Sequence, residues 1–165
     1  SARLRRLRAE RIQKMFICDK VKYVGVNDRE TDLFEGQYKI PEGISYNSYV
    51  VSGEKIAVTD GVDEKFSGEW LKNVENALNG KLPDYLVILH MEPDHSASIM
   101  RFMEVYPQTT VVSNQKAFAM MKNFFGTDFS DCRIVVDDGD SLELGTHKLN
   151  FVLAPMVHWP EDMCT

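Results

Sequence analysis

The chain has 165 residues, of which 44% are hydrophobic and 27% are charged, so it is long enough for one globular domain with a buried core. Its formal net charge is −6, but the first 14 residues hold six basic residues and one acidic residue, which leaves about −11 on the rest. An acidic body disfavours nucleic acid and anionic membranes as partners, since binding to phosphate depends on Lys and Arg.

The three cysteines, Cys18, Cys132 and Cys164, are far apart and form no CxxC pair. This spacing predicts neither a disulfide framework nor a thiolate zinc site, and it favours a reducing compartment. No apolar stretch approaches the roughly 20 residues that span a bilayer, and no apolar segment follows the basic start. We therefore expect a cytoplasmic protein without a membrane anchor or a signal peptide.

The first 14 residues differ from the rest in composition. Their basic residues surround Leu4, Leu7 and Ile12 at loosely helical spacing, which predicts a basic helical extension. Two interpretations stay open. The extension is either a leader of non-native origin ahead of a native start at Met15, or a basic arm that contacts a partner or lipid. Residues 15–165 form the predicted domain.

The first part of this domain has the pattern of short antiparallel strands. Apolar and β-branched residues bounded by Gly, Asn or Asp predict strands at 21–26, 44–53 and 55–61. Residues 67–78 then have apolar positions at helical spacing, with Ser67 as the expected N-cap and Gly80 as the stop signal.

The second part alternates between strands and helices, which predicts an α/β (α+β) fold. A continuous apolar run at 85–90 is typical of a strand that is buried on both faces. The following predicted elements are a helix in 98–107, a strand in 109–114, a helix in 116–126, a strand in 132–136, a hairpin in 137–155 and an apolar strand in 151–157.

Four potential metal ligands follow the apolar run within six residues: His90, Glu92, Asp94 and His95. The end of a strand that leads into a turn can direct several such side chains into one pocket at the sheet edge. His158 also follows an apolar stretch, and we expect it to reach the same edge. Two carboxylates and no thiolate favour iron or manganese over structural zinc, without excluding zinc. The alternative is a polar loop with locally packed histidines.

The segment HMEPDH is similar to the H-x-E-x-D-H motif of flavodiiron proteins, in which a Glu replaces the second His of the H-x-H-x-D-H motif of metallo-β-lactamase hydrolases. DDGDSLELG and HWPEDM also resemble segments of that family, and the resemblance covers residues 15–165. It implies a metallo-β-lactamase-like αββα sandwich, of which this chain supplies roughly the first half and the start of the second. An inner sheet face would then be exposed unless another chain covered it.

The resemblance also implies a ligand set. His90, Glu92 and His158 would bind one iron, and Asp94 and His95 would bind the other. The family's bridging carboxylate, a further histidine and the flavodoxin-like domain that binds FMN are expected downstream, outside this chain. Zinc substitution and partial occupancy remain open.

Two further residues follow His158 closely. Trp159 and Met163 are candidates for the pocket mouth, where a flavin or gas would approach, with core packing as the alternative.

The function implied by the resemblance is reduction of O2 or NO at two irons. Electrons would come from FMN and a donor such as rubredoxin, in a homo-oligomer, and we expect this chain alone to be inactive. The alternatives are a flavin-free diiron module that binds or senses oxygen, and a zinc hydrolase of the lactamase superfamily.

Two other polar groups are predicted to have no role in metal binding. His147 lies in the predicted hairpin and is not expected to be a ligand. Asp60, Asp63 and Glu64 lack the spacing of an EF-hand and are predicted to form a solvated turn.

Overall fold

The computed structural model describes residues 16–34, 36 and 38–165. The predicted basic extension and the expected start at Met15 lie outside the described residues. In chain order the elements are β1 (Phe16–Cys18), β2 (Val21–Tyr23), β3 (Val26–Asp28), β4 (Leu33–Phe34), β5 (Tyr38–Lys39), β6 (Ile44–Tyr46), β7 (Tyr49–Ser52), β8 (Ile56–Thr59), a 3-10 helix (Glu64–Phe66), α1 (Ser67–Leu78), β9 (Tyr85–Val87), α2 (Pro93–Ser96), α3 (Ile99–Val105), β10 (Thr110–Ser113), α4 (Gln115–Phe125), β11 (Arg133–Val135), β12 (Ser141–Glu143), β13 (Lys148–Asn150), β14 (Val152–Leu153) and β15 (Met163–Cys164).

A seven-stranded sheet with the order β1-β2-β7-β8-β9-β10-β11 organises the fold. The strands from β1 to β8 pair antiparallel, as predicted, and those from β8 to β11 pair parallel. Parallel neighbours need a crossover, and helices supply each one here. The carboxyl ends of β8, β9 and β10 therefore meet at one edge of the sheet.

Alternate residues of the central strands pack on opposite faces of the sheet. Leu86 and Val111 belong to one core cluster, whereas Val87 and Val112 belong to a second. Helices α1, α3 and α4 cover the first cluster, mainly through the fully buried side chains of Trp70, Val74, Phe102, Phe118 and Met121. This is the layered α/β arrangement expected from the alternation of elements in the sequence.

The expectation of an exposed inner sheet face is wrong for the centre of that face. Leu142, Leu144 and Phe151 pack over it, so that Val87 and Val112 are fully buried. These residues come from the hairpin of β12 and β13 and from the segment after it, which fold back onto the sheet. Exposed apolar residues remain farther out: Val135, Val152, Met156 and Val157.

The predicted strand at 21–26 is two strands in different sheets. β2 pairs with β7 in the main sheet, whereas β3 pairs with β6 in a separate two-stranded sheet. Gly25 lies between them, where a Cβ atom would overlap the carbonyl oxygen of Tyr46. The predicted strand at 44–53 is divided in the same way, into β6 and β7. The apolar pattern continues through both breaks, so it does not reveal them.

Helix α1 has the predicted bounds, but its N-terminal cap differs from the prediction. Ser67 is not the cap; Asp63 accepts from the backbone N–H of Lys65 and caps the 3-10 helix that leads directly into α1. At the other end Asn79, with φ 50°, adopts the left-handed conformation, and Gly80 follows with φ 82°.

The last predicted elements are confirmed in part. The hairpin in 137–155 is present as β12 and β13, but the apolar stretch 151–157 contains only the short strand β14, which pairs with β15. Met156 then takes a left-handed φ of 64°, so the chain turns before His158. Among the described residues, no helix is long and apolar enough to cross a membrane.

Candidate metal centre

The candidate site lies where β9 ends. Hydrogen bonds from several elements hold its backbone in place. Ser113 Oγ donates to the carbonyl oxygen of Ile88 at 2.7 Å, and Ser96 Oγ donates to that of Met91 at 2.8 Å. The backbone N–H of Met163 donates to the carbonyl oxygen of Leu89 at 3.1 Å. Satisfied backbone groups leave this irregular segment little freedom, so the side chains on it are held in place.

Helix α2 sets the positions of the acidic part of the motif. Glu92 is its N-cap residue and Pro93 its first residue, where the fixed φ of proline suits a helix start. The backbone N–H groups of His95 and Ser96 both donate to the carbonyl oxygen of Glu92 at 2.9 Å. Asp94 and His95 are therefore carried by a single helical turn directly beside Glu92.

Glu92 lies between His90 and His158, which are 68 residues apart in the sequence. Its Oε2 lies 3.1 Å from His90 Nε2 and 2.9 Å from His158 Nε2. One potential ligand atom from each of the three residues falls within 4.8 Å of the others. Glu92 is buried, whereas the side chain of His158 is 57% exposed, so this group opens to solvent on the side of His158.

His95 and Asp94 form a second group beside the first. The ring centroids of His90 and His95 are 5.1 Å apart, and His95 Nε2 lies 3.6 Å from Asp94 Oδ2. Burial raises the pKa of Asp94 and the Glu92 carboxylate adds to this, against the opposing effect of His95. Burial tends to lower the pKa of His95, but Asp60 outweighs it through a hydrogen bond and its charge, and the pKa is raised.

The prediction of a solvated turn is wrong for Asp60. Its side chain is buried, its Oδ1 accepts from the backbone N–H of Leu89 at 2.7 Å, and its Oδ2 lies 3.2 Å from His95 Nδ1. A signal was available in the sequence. Asp60 follows β8 as Leu89 and His90 follow β9, and adjacent parallel strands end at the same edge of a sheet.

Glu161 and Asp162 also join the site, although sequence reasoning did not assign them. Glu161 Oε1 lies 3.0 Å from His90 Nδ1, and Asp162 Oδ1 lies 2.6 Å from the same nitrogen. Both residues belong to the segment HWPEDM, which contains the candidate ligand His158, so the sequence did offer a signal for them. What the sequence does not show is that β15 returns to β14 and brings the segment back to the end of β9.

The structure places the remaining residues considered in the sequence at three different positions. Trp159 is half-buried and its ring centroid lies 5.3 Å from that of His90, so it borders the site. Met163 is buried in the second core cluster, which excludes it from the pocket mouth. His147 lies in the turn between β12 and β13, where its Nδ1 is 3.0 Å from Thr146 Oγ1.

The residues present fit divalent metal ions. Two buried carboxylate oxygens, Asp94 Oδ1 and Glu161 Oε2, have no hydrogen-bond partner among the residues that the structure describes, and buried acceptors without a partner are costly. His90 faces carboxylate oxygens at both ring nitrogens, and a neutral imidazole can donate from only one of them. A cation between Nε2 and Glu92 removes this conflict, and mixed imidazole and carboxylate ligands suit iron, manganese or zinc.

Comparison with known proteins identifies the family. A family model described as ODP family beta lactamase matches residues 44–165. The chain belongs to the ODP family of β-lactamase-like proteins. The matched residues include every metal-site candidate named above, and the metallo-β-lactamase-like fold expected from the sequence is confirmed.

Individual relatives of this ODP family chain are flavodiiron proteins. The chain is 35% identical over 150 residues to the flavo-diiron protein FprA2 from Clostridium acetobutylicum, covering 90% of this chain and 37% of the relative. It is 35% identical over 151 residues to the anaerobic nitric oxide reductase flavorubredoxin from Vibrio vulnificus, covering 90% of this chain and 30% of the relative. The resemblance to flavodiiron proteins is confirmed for this region.

Solved structures of similar proteins support the same family assignment. The rubredoxin oxygen:oxidoreductase of Desulfovibrio gigas superimposes with a TM-score of 0.84 at 31% identity, over 92% of this chain and 37% of that one. The flavodiiron protein of Giardia intestinalis gives a TM-score of 0.81 at 30% identity, over 92% and 36%. The chain thus spans about a third of the length of these relatives.

Proposed function

We propose that this chain is the iron-binding part of a flavodiiron oxidoreductase that reduces O2 or NO. In this proposal His90, Glu92 and His158 bind one iron, and Asp94 and His95 bind the second. The observation that carries the assignment is the position of Glu92 Oε2, within 3.1 Å of His90 Nε2 and 2.9 Å of His158 Nε2. A carboxylate there adds negative charge and a hard oxygen donor. This ligand set favours iron, whereas the corresponding set of a zinc hydrolase has a histidine in that position.

The chain's own residues prepare the site before metal binds. The end of β9 and helix α2 hold His90, Glu92, Asp94 and His95 on a backbone whose polar groups are already hydrogen-bonded. His158 is the exposed member, so it is the ligand through which an ion would enter and leave. Preorganisation of this kind lowers the entropic cost of binding.

Two irons held by these residues would supply up to two electrons and open coordination positions for a diatomic gas, and any further electrons would come from outside this chain. The chain's contribution is to bring two ions close together and to limit the access of water. The burial of Glu92 and the half-buried indole of Trp159 beside His90 serve the second task. Trp159 is accordingly proposed to border the pocket mouth where a gas or a flavin approaches.

The reaction class is proposed from the relatives, which include a nitric oxide reductase flavorubredoxin and a rubredoxin oxygen:oxidoreductase. Because these relatives are named for flavin and rubredoxin, we propose that FMN carried outside this chain delivers electrons from a rubredoxin-like donor. Assembly as a homo-oligomer is part of the proposal. The proposed setting is a reducing cytoplasm, in keeping with three cysteines that are free in the structure.

The experiment is elemental analysis of the purified chain after expression in iron-replete medium. The parent is compared with a His90→Ala, Glu92→Ala double variant and with a His147→Ala variant, which removes a histidine outside the site. We expect iron in the parent and in His147→Ala, and its loss from the double variant.

The other outcomes are equally informative. Absence of stoichiometric metal from a folded parent would contradict the proposal for this chain. Zinc alone, with iron unable to replace it under anaerobic conditions, would favour a zinc hydrolase over a diiron oxidoreductase.

A further inference from the structure

Two buried carboxylates hold the backbone on either side of His90. Asp60 Oδ1 accepts from the N–H of Leu89 at 2.7 Å, and Glu161 Oε1 accepts from the N–H of Met91 at 2.9 Å. Glu161 Oε1 also lies 3.0 Å from Nδ1 of the His90 ring. A single oxygen atom of Glu161 therefore contacts both the backbone next to His90 and its side chain.

We propose that Glu161 is a positioning residue that fixes the ring orientation and the tautomer of His90. By accepting a hydrogen bond from Nδ1–H, Glu161 favours the tautomer that keeps the proton on Nδ1 and leaves the lone pair on Nε2, the nitrogen that faces Glu92. The inference rests on the proposed metal centre and adds a residue outside its ligand set. A carboxylate that accepts from a ligating histidine also raises the basicity of that ligand.

Glu161 is better suited to this task than the neighbouring carboxylate. Its side chain is fully buried, whereas that of Asp162 is 14% exposed. Asp162 Oδ1 lies closer to Nδ1, at 2.6 Å, but Glu161 Oε1 is the oxygen in hydrogen-bond geometry with that nitrogen. Burial strengthens the hydrogen bond from Nδ1 to Glu161, because little water competes for it.

The backbone around Glu161 is fastened to the same sheet edge. Asn114 Nδ2 donates to the carbonyl oxygen of Glu161 at 2.6 Å, and Lys116 Nζ donates to that of Pro160 at 3.2 Å. Asn114 is also the N-cap of helix α4, through its Oδ1 and the N–H of Ala117. Glu161 is thus placed by the start of a helix and the return of β15, which gives its carboxylate a defined position.

A competing interpretation is a metal ion on the other nitrogen. His90, Glu161 and Asp162 also bring potential ligand atoms within 4.8 Å of one another. The arrangement of the first group disfavours this: an ion on Nδ1 would leave Nε2 protonated and so remove His90 as a ligand from the group that it forms with Glu92 and His158.

The test uses Zn²⁺ alone as the probe, because it is diamagnetic and takes the same donors. In the zinc-loaded chain labelled with ¹⁵N-histidine, two-bond ¹H–¹⁵N spectra show which nitrogen of His90 carries the proton. We expect the proton on Nδ1, slow to exchange with water. Glu161→Gln should speed that exchange and weaken zinc binding about 10-fold to 100-fold. Glu104→Gln, which removes an exposed carboxylate on α3, should change neither.

Three results would overturn the inference, and one of them also concerns the proposed function. A proton on Nε2 of His90 in the parent would place the metal on Nδ1 and exclude the positioning role, and this measurement needs no variant. Zinc affinity and proton exchange unchanged in Glu161→Gln would also exclude it, while leaving the metal centre intact. If the folded parent bound no zinc, the metal centre itself would be lost, together with the role of Glu161.

Discussion

The carboxylate of Asp60 contacts the ring of His95, with 3.2 Å between Oδ2 and Nδ1, although the two residues are 35 positions apart. The other oxygen of Asp60 accepts the N–H of Leu89. Asp60 itself has φ 49°, a left-handed conformation, and the backbone N–H of the next residue, Gly61, donates to the carbonyl oxygen of His95 at 2.8 Å. The end of one strand thus supports the ligands at the end of the next.

Replacing Asp60 should weaken the metal centre through His95. In Asp60→Asn the new amide can donate to Nδ1 and so favour the tautomer with the proton on Nε2, which cannot ligate. We expect metal affinity to fall about 10-fold to 100-fold, measured by competition with a chromophoric chelator. The exposed Asp131→Asn is the control. Equal affinities for the parent and Asp60→Asn would show that Asp60 has no such role.

Asp28 should make the stability of the metal-free chain depend on pH. It is 1% exposed. Burial by itself would raise the pKa of Asp28, but hydrogen bonds from Thr31 Oγ1, two backbone N–H groups and Tyr46 OH outweigh it and hold the pKa below its usual value. The unfolded state then binds the proton more tightly than the folded state does. The contribution of Asp28 is therefore complete above the unfolded pKa near 4 and is lost as pH falls through the lower folded value.

Asp28→Asn is the test of this dependence. We expect it to lower the free energy of unfolding by about 1–3 kcal/mol at neutral pH, because an amide cannot accept all these hydrogen bonds. The difference from the parent should shrink as the pH falls below the usual carboxyl range, in urea titrations of the metal-free proteins. A difference that stays constant with pH would contradict the assignment.

Ser48 links the helix layer to the turn that carries Asp60. It is fully buried, accepts from Trp70 Nε1 at 2.9 Å and donates to the carbonyl oxygen of Asp60 at 3.1 Å. Ser48→Ala should destabilise the chain by about 1–3 kcal/mol, because it leaves the indole N–H unpaired. Ser45→Ala, at an exposed serine, should cost less.

A double-mutant cycle separates this hydrogen bond from general packing. Combining Ser48→Ala with Trp70→Phe should cost less than the sum of the two single changes, since the donor and the acceptor are removed together. Strict additivity in thermal or urea unfolding would mean that the hydrogen bond contributes nothing measurable.

Gly25 and Gly68 should respond in opposite ways to alanine. A Cβ on Gly25 would overlap Tyr46, so Gly25→Ala should lower the free energy of unfolding by about 1–3 kcal/mol. Gly68 lies in α1, and apart from its chain neighbours and its own helix backbone no described atom lies within 4 Å of the added carbon, so Gly68→Ala should raise the free energy of unfolding by about 0.5–1 kcal/mol. Urea unfolding of both variants measures the contrast, and a neutral Gly25→Ala would mean that β3 and β6 tolerate a wider separation.

The sequence alone was enough to predict the elements of the second half and five candidate ligands. Those predictions depend on local information: apolar periodicity marks strands and helices, and HMEPDH follows directly from a buried strand. His158 was expected at the same edge because it too follows an apolar stretch, and it is found 2.9 Å from Glu92. These features can be predicted without knowledge of the fold, because each depends on residues that are close together in the chain.

Only the tertiary structure shows what supports those ligands. Asp60 and Glu161 contact His95 and His90 because β8 lies parallel to β9 and because β15 returns to β14. Strand pairing over such distances is decided by how the two sheet faces bury their apolar residues, and local pattern does not encode it. The same reason explains why the breaks at Gly25 and between β6 and β7 escaped prediction. A break that moves the chain from one sheet to another leaves the apolar pattern unchanged.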